Sequence, residues 1–133
     1  MPTLTGINLN EYEEPTILDD GVEVEFRVID AEQKSSEKAD WVQLVLQPTN
    51  TDVTNPAIVY HNLFLPRNGD DKQRRNMRLG QVKRFCDSTG YVPADGLVNT
   101  DDLHGLSGRA VLKVQADEGY EPRNQVRRFV KAE

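Results

Sequence analysis

Leu106-Ser-Gly-Arg-Ala-Val-Leu-Lys-Val-Gln-Ala-Asp-Glu-Gly-Tyr-Glu-Pro-Arg-Asn-Gln-Val-Arg-Arg-Phe-Val130 writes out two strands around a loop. Ala110, Leu112, Val114 and Ala116 alternate with Arg109, Val111, Lys113 and Gln115. This is the period-2 pattern of a half-buried strand whose other face is mostly polar and partly basic. Gly119, Tyr120, Pro122, Arg123 and Asn124 join turn chemistry to a ring and a guanidinium, and the return strand carries Arg127 and Arg128. Rings beside cations suit a single-stranded nucleic acid, because every base offers a π face and every phosphate a charge.

Upstream of this hairpin, Tyr91 to Leu106 reads as a loop with one helical turn around Asp101 to His104. Lys72 to about Ser88 is predicted as a helix ending near Gly90, with Leu79, Val82, Phe85 and Cys86 at helical spacing. Its other faces carry Arg74, Arg75, Arg78, Lys83 and Arg84. Before the turn Pro66 to Asp71, the strand Ile58 to Leu65 has apolar residues on both faces. Either Val59, Leu63 and Leu65 point inward, leaving Ile58, Tyr60, Asn62 and Phe64 outside, or the reverse choice buries Tyr60 and Phe64. Pro48 to Pro56 is a polar loop, and Trp41 to Gln47 is a strand with Val42, Leu44 and Leu46 on its apolar face and Trp41, Gln43 and Val45 opposite. Lys34 to Asp40 reads as a polar turn, and Gly21 opens a first strand in which Val22, Val24, Phe26 and Val28 oppose Glu23, Glu25 and Arg27. Residues 1–18 lack a period and form an acidic arm or irregular lead-in to a domain spanning 19–133.

The order is three strands, a helix, then two strands, a mainly β class with one helix. A small five-stranded barrel with its helix between strands three and four is the oligonucleotide-binding (OB) fold. An open antiparallel sheet with one helix reads the same way; closure is favoured because it removes exposed edges. At 133 residues, 37% hydrophobic and 29% charged, the chain is one domain's worth and can bury a real core. No apolar run approaches the roughly 20 residues of a membrane helix, so no membrane partner is expected. The N-terminus lacks the basic and apolar regions of a secretion signal, which predicts a cytoplasmic setting. A single cysteine, Cys86, and two histidines, His61 and His104, give no zinc spacing, so neither metal nor cofactor is expected. The pairs Asp19-Asp20, Asp70-Asp71 and Asp101-Asp102 read as turns or caps, and mid-strand His61 reads as a packed or interface residue rather than a general base.

Net charge is −6, unevenly spread: residues 1–40 carry −8, residues 67–84 carry +5 and residues 109–131 carry +3. An acidic front and two basic segments leave room for a polyanionic partner. In an OB barrel, ligand lies on the face of the second and third strands, between the loops joining strands one to two and four to five. Those places hold Lys34 and Lys38 in the first loop, Trp41, Tyr60 and Phe64 on the strands, and Tyr120 and Arg123 in the last loop. Trp41, Tyr60, Phe64 and Tyr120 are the candidate base platforms; Arg27, Lys34, Lys38, Lys113, Arg123, Arg127 and Arg128 are the candidate phosphate contacts. Each has a plainer alternative. Trp41, Tyr60 and Phe64 also read as packing residues, Phe64 most of all because it has no polar tip, and Arg27, Lys113, Arg127 and Arg128 as cross-strand partners of Glu23 or Glu25. The basic helix is expected at the barrel's bottom, away from ligand.

Gly21 to Gln47, the strand end His61-Asn-Leu-Phe-Leu-Pro66, the helix Arg78 to Gly90 and Leu106-Ser-Gly-Arg-Ala-Val-Leu-Lys-Val together resemble the single-stranded DNA-binding proteins of tailed bacteriophages. The resemblance spans most of residues 20–130. It includes a Leu-x-Gly-(Arg/Lys) entry to the fourth strand and a Tyr-x-x-x-Asn-x-Val pattern at Tyr120, Asn124 and Val126. It implies a non-enzymatic OB barrel that coats exposed DNA with little sequence preference during phage replication, recombination or repair. Replication or recombination proteins are the implied partners, and homo-oligomerisation stays open. Such proteins often end in an acidic recruiting tail, whereas this chain ends Arg127-Arg-Phe-Val-Lys-Ala-Glu133. Recruitment is then expected through a tail missing from the sequence, or through another surface such as the acidic N-terminal arm. The rival reading is a protein-interaction module, an assembly or regulatory factor without nucleic-acid binding. A metal nuclease using Asp101 and Asp102 is the less favoured enzymatic rival.

Overall fold

The alternating segments pair into one antiparallel sheet, seen in a computed structural model that describes residues 6–132. Residues 1–5 of the expected arm, and Glu133, lie outside the described residues. The strands are β1 (Glu23–Ser35), β2 (Asp40–Pro48), β3 (Val59–Leu65), β4 (Ser107–Gln115) and β5 (Arg123–Val130), with helix α1 (Lys72–Thr89) between β3 and β4 in the chain. Short 3-10 turns occupy Leu9–Glu11, Ala94–Gly96 and Thr100–Leu103. The expected mainly β class with one helix, in that position, is what forms. No helix among the described residues is long and apolar enough to cross a membrane.

Strand order is β3-β2-β1-β4-β5, every neighbouring pair antiparallel. β1 serves both halves of the sheet. Its first residues, Glu23 to Arg27, pair with β4, and Phe26 to Ser35 pair with β2. Between them Ile29 is an extra residue opposite Leu46 and Val45, a bulge that bends the strand. The bulge also breaks the alternation after Val28, which is why the sequence pattern stops there while the strand runs on to Ser35. The polar turn expected over Lys34 to Asp40 accordingly narrows to Ser36–Ala39, where the Ser36 N–H donates to the Ala39 carbonyl at 2.8 Å.

The closed barrel is corrected to an open sheet. β3 and β5 are its edges, and no ladder joins them among the described residues. A second bulge explains part of this: Val111 and Leu112 of β4 face Arg128 and Val126, so Arg127 is extra and β5 is bent beside the seam. Side chains bridge part of the gap instead, with the His61 ring of β3 edge-on to the Phe129 ring of β5 at 5.1 Å between centroids.

Beneath the sheet, Phe26, Phe85 and Phe129 form an aromatic cluster with centroid separations of 5.4–6.4 Å. Leu44, Leu46, Leu63, Leu103 and Leu112 complete the core around it. Helix α1 starts at Asp71, whose carboxylate accepts the Arg74 N–H at 2.7 Å, a cap worth about 1 kcal/mol, and stops at Gly90 in the left-handed region at φ 73°. Its C-terminal half supplies Phe85, Cys86 and Ser88 to the interior, whereas Leu79, expected on the buried face, is 48% exposed. Ala116 likewise leaves the inward face predicted for it, because β4 ends at Gln115.

Two contacts position these layers. A Cβ on Gly108 would lie 2.8 Å from the Ser88 carbonyl oxygen and 3.0 Å from the Phe26 ring, so the glycine of Leu106-Ser-Gly-Arg lets the end of α1 rest on β4. Asn124, 3% exposed, holds the lead-in: its Oδ1 accepts the Leu18 N–H at 2.8 Å and its Nδ2 donates to the Leu18 carbonyl at 2.9 Å. Leu18 enters the core, and the Thr16 N–H donates to the Asn55 carbonyl at 2.8 Å beside a parallel bridge from Thr16 to Pro56. Gly6 to Tyr12, by contrast, stays exposed.

Candidate functional site

β3 presents the first of the two faces allowed by its sequence. Val59 and Leu63 are buried, while Tyr60 is 60% and Phe64 39% exposed. Cross-strand register then assembles an outward surface row by row. Lys34 of β1, Trp41 of β2 and Phe64 of β3 are direct neighbours, and the Trp41 and Phe64 rings stand 6.3 Å apart at 47°. The next outward row is Glu32, Gln43 and Asn62; the one after is Asp30, Val45 and Tyr60. Four residues separate Phe64 from Tyr60, about 13 Å along the strand. Lys38 sits exposed in the turn at the Trp41 end, and Arg27 lies opposite Gln47 at the other.

This surface is therefore aromatic along β2 and β3 but not uniformly basic. On β1, Asp30 and Glu32 stand between Lys34 and Arg27. An anionic chain laid here is repelled from the middle of β1.

The other candidates sit on the β4–β5 hairpin, separated from Trp41 by β1 in sheet order. Tyr120 is 74% exposed in the connecting loop. Arg123 reaches Asp117 at 3.3 Å, and the bulged Arg127 reaches Asp20 at 3.2 Å. The Asp20 carboxyl accepts the Val114 N–H, and with Arg127 beside it is held below the usual carboxylate range. The cross-strand pairing with Glu23 or Glu25 considered for Arg127 does not form; its partner is Asp20, in the turn before β1. Arg27, Lys34, Lys38, Lys113 and Arg128 have no salt-bridge partner among the described residues.

The open seam brings the two sets together. Phe64 and Asn62 of β3, Arg127, Arg128 and Phe129 of β5, and Arg84 of α1 line one groove of about 510 Å³. Gln81 and Arg84 were absent from the sequence-derived site because the helix was assigned to the barrel's bottom. Their spacing of three residues puts them on one helix face, next to the buried Phe85, which is the signal that could have found them. His61 also lines the groove; burial pushes its imidazole down to about 4, so it is neutral at pH 7.

The carboxylate pairs behave as turn and cap chemistry. Asp71 caps α1, and Asp70 accepts the Arg67 N–H and pairs with Arg78 at 3.3 Å. Asp102 accepts the Tyr91 hydroxyl at 3.0 Å. Among the described residues no three His, Cys, Asp or Glu side chains are grouped to hold a metal.

Fold and surface together define a small antiparallel sheet protein with a helix beneath it and aromatic rings outside it. No protein-family model matches the chain, and no curated protein matches it significantly.

Proposed function

We propose that this protein binds single-stranded DNA with little sequence preference through an OB-like sheet. The observation that carries this reading is the outward aromatic stripe: Trp41, Phe64 and Tyr60 lie on the solvent side of β2 and β3, opposite the core, with Lys34 and Lys38 at its end. Rings kept out of the core at a cost in hydration suit stacking on bases, at about 1–3 kcal/mol per base. Tyr120 in the last loop extends the surface for bases, and Lys113, Arg123, Arg127 and Arg128 on the hairpin strands extend it for phosphates. The resemblance to phage single-stranded DNA-binding proteins supports DNA over RNA, a role in phage replication, recombination or repair, and replication or recombination proteins as partners.

The test is titration of Trp41 fluorescence with a thymidine oligomer beside matched duplex, at low and high salt. Quenching by the single strand alone, weakening with a log–log salt slope of about −0.7 per phosphate contacted, is the expected result. Absence of binding in any format sinks the reading.

A second reading, a protein-interaction module, is favoured by one feature. Leu79, Val92 and Val98, all exposed, line one groove at the outer face of α1. A stable complex with a partner protein, without nucleic-acid binding, distinguishes it.

A further inference from the structure

The groove at the β3–β5 seam differs from the other grooves of the molecule in its charge. Three of the others carry carboxylates in their walls: Glu25 beside Arg109 and Lys131, Asp87 beside Lys83, and Glu32 with Asp95, Asp101 and Asp102; a fourth, walled by Gln33, Val42, Leu63 and Phe85, carries no charged residue. The seam groove is lined by no acidic residue and by three guanidiniums, of which Arg127 is already held by Asp20. Arg84 and Arg128 have no salt-bridge partner among the described residues. Two uncommitted cations beside an apolar floor of Phe64, Val126 and Phe129 complement a group that is flat and apolar at one end and anionic at the other.

Placement adds a second argument. Phe64 has Trp41 on its β2 side and the groove on its β5 side, so the aromatic stripe continues into the seam without a gap. Asp30 and Glu32 bar the opposite direction, across β1. Asn62 and Gln81 add amide donors and acceptors to the groove's walls, where a base edge can be satisfied without being selected.

From this we propose that the seam groove receives one nucleotide of a bound single strand, its base against Phe64 and Phe129 and its phosphate on Arg84 and Arg128. The inference rests on the proposed single-strand binding and assigns that function a subsite partly built by the helix.

Three exposed-position variants test it, each checked for an unchanged melting temperature: Arg84→Gln, Gln81→Glu and Gln81→Lys. Affinity for a thymidine oligomer and for an abasic deoxyribose-phosphate oligomer of equal length is read by anisotropy across a salt series. Arg84→Gln should weaken thymidine-oligomer binding several-fold and flatten the salt slope by about 0.7. Gln81→Glu should weaken binding and Gln81→Lys strengthen it. Wild type should bind the abasic oligomer at least about 5-fold more weakly, with a smaller Arg84→Gln penalty there because the phosphate is no longer anchored by its base. Wild-type binding with all three variants unchanged overturns the groove while leaving the function intact. An equal Arg84→Gln penalty on both oligomers overturns the seating of the base. If wild type binds neither oligomer, the functional reading itself has failed and the subsite falls with it.

Discussion

The two faces of the same sheet use aromatic residues in opposite ways. Inside, Phe26, Phe85 and Phe129 pack in T-shaped and stacked pairs, and Phe26 and Phe85 are at most 2% exposed. Outside, the Trp41 and Phe64 rings stand 6.3 Å apart, with Phe64 39% and Tyr60 60% exposed. The inner set gains by removing area from water; the outer set leaves that gain unrealised until something covers it. Residue type alone does not separate them. On the strands parity does, with a single bulge enough to reassign a residue from one set to the other, while Phe85 joins the inner set from α1.

The sharpest way to break the comparison is Phe85→Ala, which should cost about 3–5 kcal/mol in denaturant unfolding, the penalty of a large buried cavity. A loss below about 1 kcal/mol would mean that the cluster is not the centre of the core. The mirror experiment is the double variant Trp41→Ala with Tyr60→Ala. Single-strand affinity should drop by about 1–3 kcal/mol per ring while unfolding free energy shifts by less than about 1 kcal/mol. A stability loss matching that of Phe85→Ala would put Trp41 back among structural residues.

Gly108→Ala probes the joint between layers rather than either face. With the Ser88 carbonyl in the way, α1 must shift off β4, and the expected cost is about 1–3 kcal/mol, seen as a lower melting temperature with the outer face unchanged. His61 probes the seam, where the faces meet. Unfolded, it takes up a proton near pH 6.5; folded, only near 4. Stability present above the upper value is lost as pH falls through that window, about 3 kcal/mol in all. His61→Gln should flatten the unfolding free energy between pH 6.5 and 4; an unaltered profile would show that the imidazole is hydrated in the folded protein.

Much of this was legible from period-2 alternation. It placed Trp41, Gln43 and Val45 opposite Val42, Leu44 and Leu46, and the helix limits followed from Asp71 and Gly90. What escaped did so for identifiable reasons. Local periodicity cannot announce the bulges at Ile29 and Arg127, so β1 was read short, and Phe129 was not recognised as core. β3 carried apolar residues on both faces, and only pairing with β2 resolved which was outward. Barrel closure was inferred from the cost of free edges, but β3 and β5 stay unpaired with each other and meet through side chains, and the groove they leave was invisible until α1 was placed. Asn124, noticed as part of a sequence pattern near the loop, turned out to be a buried bracket for Leu18 rather than a surface residue.

That bracket has a bearing on how the molecule assembles. It joins residues 106 apart in the chain, so its closure entropy is among the largest any contact here must overcome. It can form only once β5 has docked, which places it late in folding and makes the topology slow relative to a helical bundle of equal length. The Leu18 amide should then exchange with solvent deuterium only through global opening, at a rate set by the full unfolding free energy, while amides of Gly6 to Tyr12 exchange at once. One backbone proton near the start of the chain thereby reports whether its last strand is in place.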